Sequence, residues 1–153
     1  MELKFEAVVV PVSDVDRAKK FYEETLGFRV DVDHSSAVYE EALGFRYRGA
    51  VSYRIVQLTP PGSECSIQIG TGITQVTPGT YQGMYLITSN IEATRAELVA
   101  RGVEVSEPFH FGPEGQTPGL DPGRADYNSF ASFSDPDGNG WLLQEIKVRA
   151  PGR

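Results

Sequence analysis

The feature that most constrains this chain is a repeat. Val12 to Val30 (VSDVDRAKKFYEETLGFRV) and Thr88 to Val105 (TSNIEATRAELVARGVEV) carry the same signals in the same order, with one residue deleted before the glycine. In the first copy, Phe5 to Val12 is β-branched and reads as a buried strand, and Ser13 and Asp14 are helix N-cap types. Ala18, Phe21, Tyr22 and Leu26 then recur at helical spacing, Gly27 is a left-handed stop, and Phe28 to Val32 resumes as strand. In the second copy, Met84 to Thr88 is strand-like, and Ser89 and Asn90 are the caps. Ile91, Ala96, Leu98 and Val99 form the apolar side of a helix, Gly102 stops it, and Val103 to Val105 reads as strand.

The halves continue alike. Tyr53 to Leu58 and Ser66 to Ile69 flank a turn at Pro60 to Ser63, and Phe130 to Ser134 and Trp141 to Ile146 flank Asp135-Pro136-Asp137-Gly138-Asn139. Asp-Gly between two strand-like runs is a strong hairpin signal. Each half therefore reads strand, helix, strand, strand, strand. This predicts an α+β fold of two tandem βαβββ modules, residues 1–70 and 83–149, joined by a linker over 71–82 within one compact domain. Residues 112–128 (GPEGQTPGLDPGRADYN) have no periodicity, as expected for a functional lid or a disordered insert.

Composition narrows the partners. The net charge of −7 repels phosphate backbones, which argues against nucleic acid. No apolar run is long enough to span a bilayer, and no secretory signal is evident at the start, so a cytoplasmic protein is expected. Cys65, the sole cysteine, excludes an internal disulfide and a thiolate zinc cluster and reads as a packed small hydrophobe. The sequence has no phosphate loop, dinucleotide fingerprint or Gly-x-Ser-x-Gly elbow.

Val10-Pro11-Val12-Ser13-Asp14-Val15-Asp16-Arg17-Ala18, Phe21-Tyr22, Leu26-Gly27-Phe28, Ile91-Glu92-Ala93 with Leu98 and Gly102, and Asp135 to Asn139 leading into Trp141 resemble the glyoxalase/bleomycin resistance protein/dioxygenase (vicinal oxygen chelate) superfamily. The resemblance covers nearly the whole chain. It implies paired half-barrels around a central small-molecule cavity, frequent homodimers, and in many members one divalent ion held by His, Glu or Gln from the first and last strands of each module. Carried over position by position, those places fall on Ala7, Gln68, Gly83 and Leu142. Gln144 is the next residue on the face of Leu142, and Glu145 lies on the opposite face. Two neutral amides make a poor divalent site, so no catalytic metal and no other cofactor is expected. Glu145 is an outside ligand candidate that otherwise reads as an exposed carboxylate.

The expected ligand-binding set is Gln68, Gln144, Tyr53, Tyr85 and His110. Gln68 and Gln144 read either as a polar pair on the cavity floor or as exposed strand residues. His110, between Phe109 and Phe111, is the acid/base candidate by type, with Glu107 or Asp121 as possible partners; it faces solvent if the phenylalanines pack inside. His34 reads as a surface residue of a polar turn. Tyr39, Phe45, Tyr47, Tyr81, Tyr127 and Trp141 add to the aromatic supply. Arg46, Arg48 and Arg54 would meet an anionic group if turned inward, and otherwise guard a strand edge. The primary expectation is a metal-free protein binding a small organic molecule. A metal-dependent lyase, isomerase or dioxygenase with shifted ligands, and a non-catalytic protein-interaction domain, are the alternatives.

Overall fold

A computed structural model describes residues 1–42 and 45–153, with side chains at 1–36 and 53–153. The side chains of Tyr39, Phe45, Arg46, Tyr47 and Arg48 lie outside the described residues. The chain divides into two compact units, Met1–Thr80 and Tyr81–Arg153.

The first unit runs β1 (Ala7–Val9), α1 (Val15–Lys20) with a π-helical turn over Phe21–Thr25, β2 (Arg29–Ala42), β3 (Phe45–Thr59) and β4 (Ser66–Thr71). Its sheet has the order β1-β4-β3-β2, and β1 is parallel to β4. The second runs β5 (Met84–Thr88), α2 (Ile91–Ala100), β6 (Phe109–Gly112), β7 (Gly115–Pro118), β8 (Phe130–Ser134) and β9 (Gly140–Glu145). Its sheet has the order β5-β9-β8-β6-β7, with β5 parallel to β9. The mixed α+β fold and its strand-helix-strand order are therefore as expected, with β7 added to the second unit. No helix among the described residues is long and apolar enough to cross a membrane.

Both helices start as the repeat predicts. The carboxylate of Asp14 accepts the Arg17 N–H at 3.0 Å, and Asn90 Oδ1 accepts the Ala93 N–H at 3.0 Å. Gly27 and Gly102 stop the helical segments at φ 76° and 86°, in the left-handed region. Asp14→Ala and Asn90→Ala should each lower stability by about 1 kcal/mol, the usual worth of a cap. The losses should add in the double variant, because the caps lie in separate units. Thermal unfolding of the three variants measures this, and a neutral Asn90→Ala would show that the second cap is decorative.

One face of each sheet is the core. In the first unit Val10, Val56, Leu58, Ile67 and Ile69 are buried with Ala18, Tyr22 and Phe28. In the second, Trp141 and Leu143 of β9 and Ala131 and Phe133 of β8 are buried with Ile91 and Leu98 of α2, and Phe133 stacks on Trp141 at 6.4 Å.

Four expectations need correction. Val103–Val105 forms no strand. Ser106 meets Ser132 through one backbone and one side-chain bond instead of a ladder pair, and Pro108 has no N–H to give. Residues 112–128 are not a disordered insert. They contain β7, and Asp121 holds the following turn by accepting from Ala125 N and Asn128 Nδ2, both at 2.9 Å. His34 sits inside β2, exposed, not in a turn. Glu145 is 1% exposed, because Arg124 neutralises it within the fold.

Candidate functional site

Strand alternation sends a second set of side chains to the face of each sheet opposite the core. In the first unit this open face carries Val9, Tyr53, Ile55, Gln57 and Gln68, all partly accessible. Gln57 and Gln68 are cross-strand partners. Gln68 Nε2 donates to Gln57 Oε1 at 3.0 Å, and Gln57 Nε2 donates to Ser66 Oγ at 3.4 Å. Ser66 Oγ lies 2.7 Å from Thr59 Oγ1, whose proton goes to the Asp31 carboxylate, so Ser66 is the donor in that pair. The chain of donors thus runs one way, from Gln68 to Asp31. The Arg29 guanidinium, with the Thr59 hydroxyl, holds the Asp31 carboxyl below the usual aspartate range, so the terminus of the chain is an anion. Tethered by its Nε2, Gln68 presents Oε1 as an acceptor. His34 also lies on this face, opposite Ile55 and 5.8 Å from the Tyr53 ring.

In the second unit the open face is more apolar. Tyr85 is 53% exposed and pairs with Leu142; Ile87 pairs with Gln144; Gln144 in turn pairs with Phe130. Phe130 stacks on Phe109 at 5.6 Å and meets the edge of Phe111 at 5.4 Å, with Phe111 52% exposed. Gln144 Nε2 donates to the Tyr127 carbonyl at 3.0 Å, which leaves Oε1 as its acceptor. Tyr85, Ile87, Tyr127 and Gln144 border a hollow of about 520 Å³, within the range of small-molecule sites.

Tyr127 has φ 72°, a left-handed conformation unfavourable for an aromatic residue by roughly 1 kcal/mol or more. Three bonds hold it there: its N–H to the Glu145 carbonyl at 2.9 Å, its carbonyl to Gln144, and its hydroxyl, which accepts the Ala150 N–H at 2.7 Å. The sequence marked Tyr127 only as one aromatic among many. Its role depends on contacts 17 and 23 residues away.

The expected site residues fall in both units. Gln68 and Tyr53 share the open face of the first unit, and Gln144 and Tyr85 that of the second. Gln68 and Gln144 each spend Nε2 within their own unit, on Gln57 Oε1 and on the Tyr127 carbonyl. His110 belongs to neither face. It is 8% exposed, and its Nδ1 lies 2.8 Å from the Gly119 carbonyl, so Nδ1 carries the proton. The reason is the stack of Phe109 and Phe111 on Phe130, which turns the residue between them away from Gln144. Glu107 is taken by Arg95 at 2.7 Å. Arg54 is likewise occupied. It forks onto Asp33 with two bonds of 2.9 Å and reaches Asp16 at 2.7 Å, and with Lys19 it lowers the Asp33 carboxyl to about 2.

The residues at the family's metal positions do not suit a divalent ion. The caps align the units: Val9 lies five residues before Asp14, and Tyr85 five before Asn90. Val9 pairs with Gln68 and Tyr85 with Leu142, so Gln68 and Leu142 are equivalent, as are Ala7 and Gly83. These places offer one neutral amide, a methyl, an isobutyl group and a hydrogen. No cluster of three or more His, Cys, Asp or Glu occurs among the described residues. Glu145 is already engaged: Arg124 donates to both oxygens at 3.0 and 2.7 Å, and the Ile91 N–H donates to Oε2 at 3.0 Å.

Comparison with known proteins agrees with this architecture. The family model for the glyoxalase/bleomycin resistance protein/dioxygenase superfamily matches residues 4–143. A glyoxalase/bleomycin resistance protein from Streptomyces sp. CB03234 is 31% identical, with 93% of this chain and 100% of that one covered and a TM-score of 0.64. TnmS3, an antibiotic binding protein from the same organism, is 30% identical, with 95% and 98% covered and a TM-score of 0.68. A superfamily member from Sphaerobacter thermophilus DSM 20745 is 29% identical, with 95% and 98% covered and a TM-score of 0.61. No curated protein matches. Repeat, topology and family model together place the chain in the glyoxalase/bleomycin resistance protein/dioxygenase superfamily, to which it belongs.

Proposed function

We propose that this chain binds a flat aromatic small molecule, of the kind found among antibiotics, on its open sheet faces without a catalytic metal, and that it works as a homodimer. The observation that carries the proposal is the open face of the second unit, where exposed Tyr85 lies beside Leu142 and exposed Phe111 stands against the buried ring of Phe130. Burial of a ring there gains apolar area at about 25 cal/mol per Å². Each unit's open face carries one amide for polar readout, Gln68 in the first and Gln144 in the second, fixed through its Nε2 and with Oε1 left to accept from a hydroxyl or N–H. The description of TnmS3 as antibiotic binding supports the same class of ligand.

Lewis-acid chemistry is not part of this reading, because the donor set lacks the charge and basicity to hold an ion. Calorimetric titration with a panel of aromatic antibiotics, before and after dialysis against EDTA, tests it. At least one compound should bind one per protomer, with the same affinity after chelation. Binding that disappears with EDTA and returns with a divalent cation would instead select the metal-dependent alternative. Light scattering of the same samples should give twice the chain mass.

A further inference from the structure

We propose that the hollow beside Gln144 is specific for an aromatic ligand bearing an acidic group, a carboxylate or sulfonate, which Arg149 and Arg153 receive. This rests on the small-molecule reading above and names the charge of its ligand. The hollow is lined by the apolar side chains of Tyr85 and Ile87 and by the segment after β9, which brings in Arg149 and Arg153.

That segment is held against the fold. The Asp126 carboxylate accepts the Lys147 and Val148 N–H groups, at 2.5 and 3.3 Å, and the Tyr127 hydroxyl accepts the Ala150 N–H at 2.7 Å. A turn closed by the Arg153 N–H on the Ala150 carbonyl at 3.2 Å follows. Tyr127 therefore secures two parts of the lining: its carbonyl orients Gln144, and its hydroxyl fixes the arginine-bearing segment.

The two arginines differ in their surroundings from five others. Arg29, Arg54, Arg95, Arg101 and Arg124 each pair with a carboxylate. Arg149 and Arg153 have no carboxylate partner among the described residues. In a chain of net charge −7, two uncompensated guanidiniums beside an aromatic wall form a local positive site in a field that otherwise repels anions. Guanidinium forks match the planar oxygens of a carboxylate or sulfonate.

Two fluorescent probes with the same rings separate the effects. 8-Anilinonaphthalene-1-sulfonate carries the anion, and N-phenyl-1-naphthylamine lacks it. Both should bind the full chain, and both should weaken in Tyr85→Ala. In the R149Q/R153Q double variant the sulfonate should weaken about tenfold, as for two partly exposed ion pairs, with the neutral probe unchanged. Added salt should weaken only the sulfonate. If the neutral probe binds but the sulfonate ignores the double substitution, the acidic-ligand proposal fails and the small-molecule reading stands. If neither probe binds, or if Tyr85→Ala affects neither, the hollow is not a ligand site and both fail.

Discussion

Alanine at Glu145 is expected to lower the stability of the fold by about 3 kcal/mol, which for a chain of this size moves the thermal midpoint by roughly 10 °C. The carboxylate is 1% exposed and accepts from Arg124 twice and from the Ile91 N–H once. Removal strands the buried Ile91 N–H at the first turn of α2 and releases the loop that Arg124 anchors. Glu145→Gln keeps an acceptor for Ile91 and should lose less. The pH dependence gives a second readout. Hydrogen bonding from Arg124 lowers the Glu145 carboxyl below its ordinary value of 4.5. A depressed folded-state value means the carboxylate's contribution is complete above 4.5 and disappears as pH falls through the lowered value. Wild type and Glu145→Ala should therefore converge in stability under strong acid. Denaturant unfolding between neutral pH and pH 3 checks this, and a gap that is constant across the range would remove the ion pair from the explanation.

Glu145 also shows where sequence reading stops. The alternation that placed it opposite Leu142 and Gln144 was legible, and the structure keeps that alternation, with Trp141, Leu143 and Glu145 buried. Its burial was not legible, because the neutralising partner Arg124 lies 21 residues earlier in a segment without periodicity, at φ 51°. The helix signals were readable because caps and glycine stops act within four residues. The extent of β2 and β3 was not. Three register shifts, between Val30 and Val32, between Ser36 and Ala37, and between Ala37 and Tyr39, break the two-residue period that reveals a strand, so His34 resembled a turn residue. The open-face aromatics were readable as a class. Which of them meet was decided by pairing across the sheet, and that also decided the placement of His110.

Glycine at position 70 gives the second large effect. An alanine Cβ there would lie 1.9 Å from the Arg54 carbonyl oxygen and 2.9 Å from Ile73 Cδ1. The oxygen belongs to the backbone of β3, which is tied to β4 along its length, so the sheet itself must shift. Gly70→Ala should cost about 3 kcal/mol, near the upper end for overpacking. Gly140→Ala is the internal control. Its Cβ would lie 2.1 Å from Gln82 Oε1, a side-chain end that can swing away once its 3.1 Å bond to the Gly138 carbonyl is released. That variant should lose under about 1 kcal/mol, partly offset by the smaller backbone entropy of its unfolded chain. Urea midpoints with unchanged slopes measure both, and equal costs would show that backbone crowding at position 70 is not the cause. The difference bears on binding. Position 70 is the first unit's equivalent of Gln144, two residues beyond the matched pair Gln68 and Leu142. Crowding by β3 bars a side chain where the second unit places its amide. The first unit instead presents its amide at Gln68, where the second has Leu142, so the duplicated sheets carry their fixed acceptors at different strand positions.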